Sequence, residues 1–167
     1  MLLVVWCSAT GGTRQLVEAL VEGAERGARE AGANSLPVRA LPAERAGIDD
    51  VLAARGFVFA TPECLGAMAG LLKDFFDRTY YGALDRVNGS PYATLVCAGS
   101  DGEGAVRQID RIATGWRLRR AAPSMIVRTH AQTPEAILAP KRIAPVDLER
   151  AAELGEGLAA GITLGVI

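Results

Sequence analysis

The residues with the clearest chemical potential follow a short apolar run at the start of the chain: Ser8-Ala9-Thr10-Gly11-Gly12-Thr13. Two glycines let backbone approach a ligand closely, and the hydroxyls of Ser8, Thr10 and Thr13 can add hydrogen bonds. Leu16, Val17, Leu20, Val21 and Ala24 then repeat at helical spacing, so this loop opens a helix. Free N–H groups and the positive end of the helix dipole favour an anion there, and a nest without a cation suits a terminal monophosphate. No Lys follows, so this is not the G-x-x-x-x-G-K-[ST] loop, and the spacing is not G-x-G-x-x-G. The other reading of the same residues is a plain N-cap, with Ser and Thr satisfying the first helical turn.

Reactive side chains elsewhere are few. Cys7 and Arg14 come near the C-x5-R loop of low-molecular-weight tyrosine phosphatases, in which a thiolate attacks phosphorus. The spacing here is one residue too long, and Cys7 ends a strand rather than opening a loop. Cys7, Cys64 and Cys97 are odd in number and lack C-x-x-C spacing, which argues against a disulfide scaffold and a zinc knuckle. Each falls at or just past the end of strand one, three or four. Cys7 and Cys97 read as small buried hydrophobes, and Cys64 as the exposed thiol with a conceivable redox role. His130, the single histidine, is placed to donate to a ligand oxygen, or is simply a surface loop residue.

The elements that must position these residues are legible. Apolar runs at Leu2–Cys7, Ser35–Ala40, Gly56–Ala60, Tyr92–Ala98 and Met125–Arg128 have strand length. Between them lie helical patterns, including a stripe of Met68, Leu71, Leu72, Phe75 and Phe76, and another of Val106, Ile109, Ile112, Ala113 and Trp116. Trp116 reads as core, and Pro145 as the first turn of a last helix. Thr61–Ala67 reads as a loop. Thr129–Ile143 is a long irregular stretch, functional or an oligomer contact. The closing GLAAGITLGVI reads as a helix end packed on the domain or on a second copy. Strands alternating with helices predict an α/β fold, a doubly wound five-stranded parallel sheet with helices on both faces, forming one domain over residues 1–167. Ligands of such sheets bind beyond the carboxyl ends of the strands. That places Ser8–Thr13, Thr61–Ala67 and Gly99–Gly104 together, and all are rich in Gly, Ser, Thr or Pro.

Composition narrows the partners. Eighteen basic and nineteen acidic residues leave a net charge of −1, a poor match for nucleic acid or an anionic membrane. The apolar opening lacks the basic flank and cleavage site of a signal peptide, and no stretch reaches the length of a membrane span. These features, with the cysteine usage, point to the cytoplasm.

Ser8-Ala9-Thr10-Gly11-Gly12-Thr13 after an amino-terminal strand resembles the S-x-T-G-x-T phosphate signature of flavodoxins. Thr61-Pro62-Glu63-Cys64-Leu65-Gly66-Ala67-Met68, followed by Gly70, Leu72-Lys73 and Phe75-Phe76-Asp77, resembles the T-P-E-x-x-G-x-M-x-G-x-L-K-x-F-x-D segment of flavodoxin-like NAD(P)H-dependent FMN reductases and quinone reductases. The resemblance implies a flavodoxin-like strand order of 2-1-3-4-5 and one bound FMN. Ser8, Thr10, Gly11, Gly12 and Thr13 would hold its phosphate. Thr61 and the segment from Pro62 to Met68 would line the ring and ribityl chain, and Ala98, Gly99, Ser100 and Asp101 the ring's other edge. It also implies electrons passing from NAD(P)H through the flavin to a quinone, free flavin or another small acceptor, with a homodimer or homotetramer as the assembly. Because the cofactor carries such chemistry, no catalytic side chain and no metal is required. Cys64 stands where these reductases often carry an aromatic residue, and the first and third loops hold no Trp or Tyr. The ring would then be open on one face, with room for a second substrate or for stacking from a partner subunit. The alternative is a flavodoxin-type shuttle docking on redox proteins. Shuttles usually present a strongly acidic face, so the near-neutral charge leans toward the enzyme.

Overall fold

A computed structural model describes residues 1–32 and 36–167. Strands β1 (Leu2–Trp6), β2 (Val38–Pro42), β3 (Gly56–Cys64) and β5 (Pro91–Ala98) form a parallel array in the order β2-β1-β3-β5. The fifth position is shared by two short strands, β6 (Arg119–Arg120) and β7 (Met125–Arg128), both parallel to β5. This is the expected 2-1-3-4-5 order with its last strand in two pieces. Pro123 stands in the gap; it has no N–H for the ladder, and the chain bulges away between the pieces. The strand expected at Ser35–Ala40 is observed at Val38–Pro42, and Ser35 lies outside the described residues.

Alternation along the strands sorts the core into two layers. Leu3 and Val5 of β1, Phe57 and Phe59 of β3, and Tyr92 and Val96 of β5 face α2 (Ile48–Ala53), α3 (Gly70–Ala83) and α4 (Glu103–Gly115). Leu2 and Val4, Val58 and Ala60, and Ala93 and Leu95 face α1 (Gly12–Ala31) and α6 (Pro145–Leu164). Trp116 is core as expected: its ring packs edge-on against Phe57, Phe59 and Phe76. The same alternation separates two of the cysteines. Cys7 faces the α3–α4 layer and Cys97 the α1–α6 layer, so the sheet stands between their sulfurs.

Two expected loops carry regular structure. Thr61–Ala67 is the end of β3 and a tight hairpin to β4 (Ala67–Met68), with Glu63 opposite Met68 and Cys64 opposite Ala67. The turn residues Leu65 (φ 53°) and Gly66 (φ 73°) are both left-handed, as a two-residue hairpin turn requires. Strand three was legible only to Ala60 because its apolar run ends there, while pairing with β5 continues to Pro62. The stretch Thr129–Ile143 contains a short helix, α5 (Pro134–Leu138), capped by the Thr133 side chain.

The apolar tail belongs to α6, which lies along α1 at unusually close range. A Cβ at Gly23 or Gly27 would overlap the α6 backbone at Ala152 or Glu156, and one at Gly155 would overlap the Leu20 carbonyl. Glycine here trades helix propensity for close approach. Gly155→Ala gains about 1 kcal/mol of propensity but must push two backbones apart, which costs about 1–3 kcal/mol or more. Gly157 of the same helix has nothing within 4 Å of its would-be Cβ. Urea unfolding is expected to show Gly155→Ala destabilised and Gly157→Ala stabilised by up to about 1 kcal/mol; equal effects would contradict the close packing.

Candidate functional site

The carboxyl ends of β1, β3 and β5 open onto a cleft of about 530 Å³. Its walls come from the segments predicted to meet. Ser8, Thr10, Gly12 and Thr13 contribute from the first, Pro62 to Gly66 from the second, and Ala98, Gly99 and Ser100 from the third. Gly11, Thr61, Ala67, Met68 and Asp101 do not line this cleft. Each of these sits behind or beside the wall. Gly11 is the left-handed residue (φ 86°) that turns the chain into α1. Asp101 offers its carbonyl to Arg128 Nε at 3.0 Å.

The first wall is the start of α1. The amino-terminal N–H groups of a helix lack intrahelical partners. Here the Ser8 hydroxyl accepts from Arg14 N at 3.3 Å, and Gly11 adds no side-chain cap. Gly12 rests on Cys97: a Cβ at position 12 would stand 2.6 Å from the Cys97 sulfur. Beside it the Thr13 hydroxyl is buried with no hydrogen-bond partner. The nearby cations are already engaged. Arg14 pairs with Glu18 at 3.5 Å, and Lys141 Nζ donates to the carbonyls of Ala136, Ile137 and Ala139 at 2.6–2.8 Å. An anion here would meet backbone and hydroxyl rather than an ion pair.

The hairpin wall is held from below by Thr61, which is fully buried. Its hydroxyl donates to the Pro62 carbonyl at 2.9 Å and accepts from Ala69 N at 3.0 Å. Gln108 adds a side-chain acceptor for Met68 N at 3.0 Å. Glu63 ties this wall to the third loop: its Oε2 accepts from Gly102 N at 2.9 Å, while Oε1 is buried without a partner. A Cβ at Gly104 would overlap the Gly66 carbonyl, so α4 begins directly against the hairpin turn.

A fourth wall is one that residue patterns did not assign to the cleft. Ile137, Leu138 and Lys141, with Thr129 and Ala131, come from the long connection after β7. Gln15 fastens it: Nε2 donates to the Gly11 carbonyl at 3.0 Å and the Lys141 carbonyl at 2.7 Å, and Oε1 accepts from Ile143 N at 3.3 Å. The length of that connection was the available signal; in the structure Leu138 is an apolar residue left 77% exposed. His130 stands apart. It is exposed, left-handed (φ 55°), and lines a separate hollow with Arg142 and Asp147. No group of His, Cys, Asp and Glu among the described residues is arranged to hold a metal.

The thiols are poorly suited to nucleophilic work. Burial pushes Cys97 up to about 11, with Lys141 opposing and Asp147 adding. Burial also raises Cys7, against a hydrogen bond between its sulfur and the Thr61 hydroxyl that lowers it. Cys64 is exposed, yet partial desolvation and then the Glu63 carboxylate raise it too. The three do not pair with one another.

Fold and topology together define the class: a flavodoxin-like α/β protein, with a cleft at the carboxyl edge of the sheet. The chain belongs to the NADPH-dependent FMN reductase family, whose match covers residues 2–124; this family supports flavin binding. No curated protein matches the chain. Among solved structures, an archaeal flavodoxin superposes with a TM-score of 0.74 at 17% identity, covering 96% of this chain and 97% of that one. A WrbA-like flavodoxin protein from Agrobacterium tumefaciens superposes at 0.71 and 17% identity, covering 97% and 96%. The flavodiiron protein from Giardia intestinalis gives 0.74 and 17%, covering 98% of this chain and 36% of that one. No helix among the described residues is long and apolar enough to cross a membrane.

Raised thiol values make two measurable outcomes. At pH 7, iodoacetamide is expected to label Cys64 more slowly than free cysteine, and Cys7 and Cys97 only after unfolding; rapid labelling of native Cys64 would restore its redox reading. The folded Cys97 thiol holds its proton to about 11, whereas the unfolded thiol releases it from 9.0. The unfolded state therefore binds fewer protons in that window, and stability falls as pH rises through it, by at most about 2–3 kcal/mol. Chemical denaturation across this range is expected to show a shallower decline for Cys97→Ala.

Proposed function

We propose that the cleft holds one flavin mononucleotide, and that the protein passes electrons from NAD(P)H through it to a quinone, free flavin or another small acceptor. One observation carries the reading. Three loops converge on a cleft whose walls include two buried polar atoms without partners, Thr13 Oγ1 and Glu63 Oε1. Such atoms are costly unless something satisfies them. A hydroxyl at a helix start suits a phosphate oxygen, and a lone carboxylate oxygen suits a ribityl hydroxyl or a ring N–H.

When bound, the flavin supplies the redox chemistry. The protein's part is placement. The start of α1, with Ser8, Thr10 and Thr13, would hold the phosphate end through N–H groups and the helix dipole. Pro62 to Gly66 and Ala98 to Ser100 would hold the ring between backbone walls. Ile137 and Leu138 would keep water from the apolar side. Among the described residues Glu63 is the single carboxylate on the wall: its Oε2 already accepts from Gly102 N, and Oε1 is left to accept from a ligand. No Trp or Tyr lines the cleft, which leaves a ring face accessible to a small reactant. That accessibility and the net charge of −1 favour an enzyme over a shuttle that docks through an acidic face.

The purified protein is expected to be yellow, with the absorbance of bound flavin. Protein that stays colourless after incubation with FMN would overturn the cofactor assignment. Steady-state oxidation of NADH and NADPH with quinone and ferricyanide as acceptors then tests turnover; a shuttle would show none with small acceptors. Thr13→Val removes the orphaned hydroxyl with little change of shape. It is expected to weaken FMN by roughly 10- to 100-fold, the worth of a hydrogen bond to a charged group. The flavin-free variant is expected to be no less stable than the parent, because the buried hydroxyl it loses has no partner. Fluorescence titration and thermal unfolding check the two signs.

A further inference from the structure

On the far side of the hairpin turn lies a second and larger cleft, of about 710 Å³, between α3 and α4. Its floor is small: Gly66, Gly70 and Gly104 place backbone rather than side chains against it. Its rim carries Lys73, Arg107 and Arg111 and no carboxylate. Lys73 is matched by Asp77 of its own helix, at 2.6 Å. The two arginines are not matched. They stand four residues apart on α4, where like charges repel. The acids of that helix face elsewhere: Glu103 lies 3.7 Å from Arg128, and Asp110 bonds Arg120 and the Tyr92 hydroxyl. Among the described residues neither Arg107 nor Arg111 forms an ion pair. Two exposed guanidinium groups over a glycine floor form a surface ready for a phosphate-bearing molecule. Gly66 lines this cleft and the flavin cleft alike, so the two meet at the hairpin turn.

We propose that Arg107 and Arg111 form a docking site for the phosphate-bearing end of the dinucleotide donor, reached across the Leu65-Gly66 turn from the flavin cleft. This rests on the reductase reading for the identity of the ligand. It assigns the arginines to binding, with no part in hydride or electron transfer.

The test uses the purified protein loaded with FMN and the probe 2′,5′-ADP, with neutral adenosine as control, followed by calorimetry. The probe is expected to bind the parent protein, and the Arg107→Ala/Arg111→Ala variant at least about tenfold more weakly. Both sites are exposed helix positions where Ala is a good helix former, so the variant is expected to keep the fold. Raising salt from about 0.05 M to about 0.3 M should weaken the parent's binding more than the variant's. Absence of probe binding, equal binding by both proteins, or an adenosine response that matches the probe's would overturn the site. The two readings separate cleanly. Probe binding that depends on the arginines, in a protein that does not oxidise NADPH, supports the anion site and removes the reductase. NADPH oxidation with an unchanged KM in the double variant does the reverse.

Discussion

The position of α1 governs the rest of the site. A helix dipole acts over only its first turn, so an anion is served only if that turn lies against it. Here the placement is fixed by absent side chains on both flanks. Gly12 rests on the Cys97 sulfur at the end of β5, and Gly23 and Gly27 rest on the backbone of α6. A methyl group at any of these points would lift the helix from the sheet or from its partner. Gln15 then uses the settled helix as an anchor for the 139–143 segment. One packing arrangement thus carries two walls of the cleft.

The other two walls are fastened to each other rather than to α1. Thr61 closes the hairpin from beneath, and Glu63 reaches from the hairpin to Gly102 at the start of α4. Side chains with donors and acceptors are used here mostly to hold backbone in place. What faces the cleft is backbone, small residues and aliphatic carbon. A site built this way binds by shape and by N–H and C=O groups already oriented, which keeps the ordering cost of binding low. It also explains why charge plays so small a part: Arg14, Lys141 and Glu63 are each paired or hydrogen-bonded before any ligand arrives.

The fold was open to reading because buried parallel strands advertise themselves as unbroken apolar runs and their helices as stripes. Leu2–Trp6 and Pro91–Ala98 stand almost where their sequences place them. The three loops were legible for a related reason, since Gly, Ser, Thr and Pro cluster where a chain must turn near a ligand. The hairpin at Leu65-Gly66 was less so: β3 outlasts its apolar run, and Leu-Gly is an uncommon turn pair beside Asn-Gly or Asp-Gly. The fourth wall was legible only as a connection of unusual length. Nothing local to Ile137 or Leu138 says that Gln15, more than a hundred residues earlier, will hold their segment against the first loop. The arginines of α4 were hidden, since a charged helix face reads as solvated surface until the acids around it are seen to be engaged elsewhere.

The broken last strand has a consequence of its own. An open sheet exposes unpaired N–H and C=O groups along its outermost strands, and these can template another chain. On one border this protein offers only two residues, then a gap with Pro123, then four more, with Arg119, Arg120 and Arg128 among them. On the other, β2 is five residues long, ends at Pro42 and carries Arg39. Both borders are short, and each carries arginine. Short, interrupted and positively charged borders of this kind disfavour runaway sheet growth.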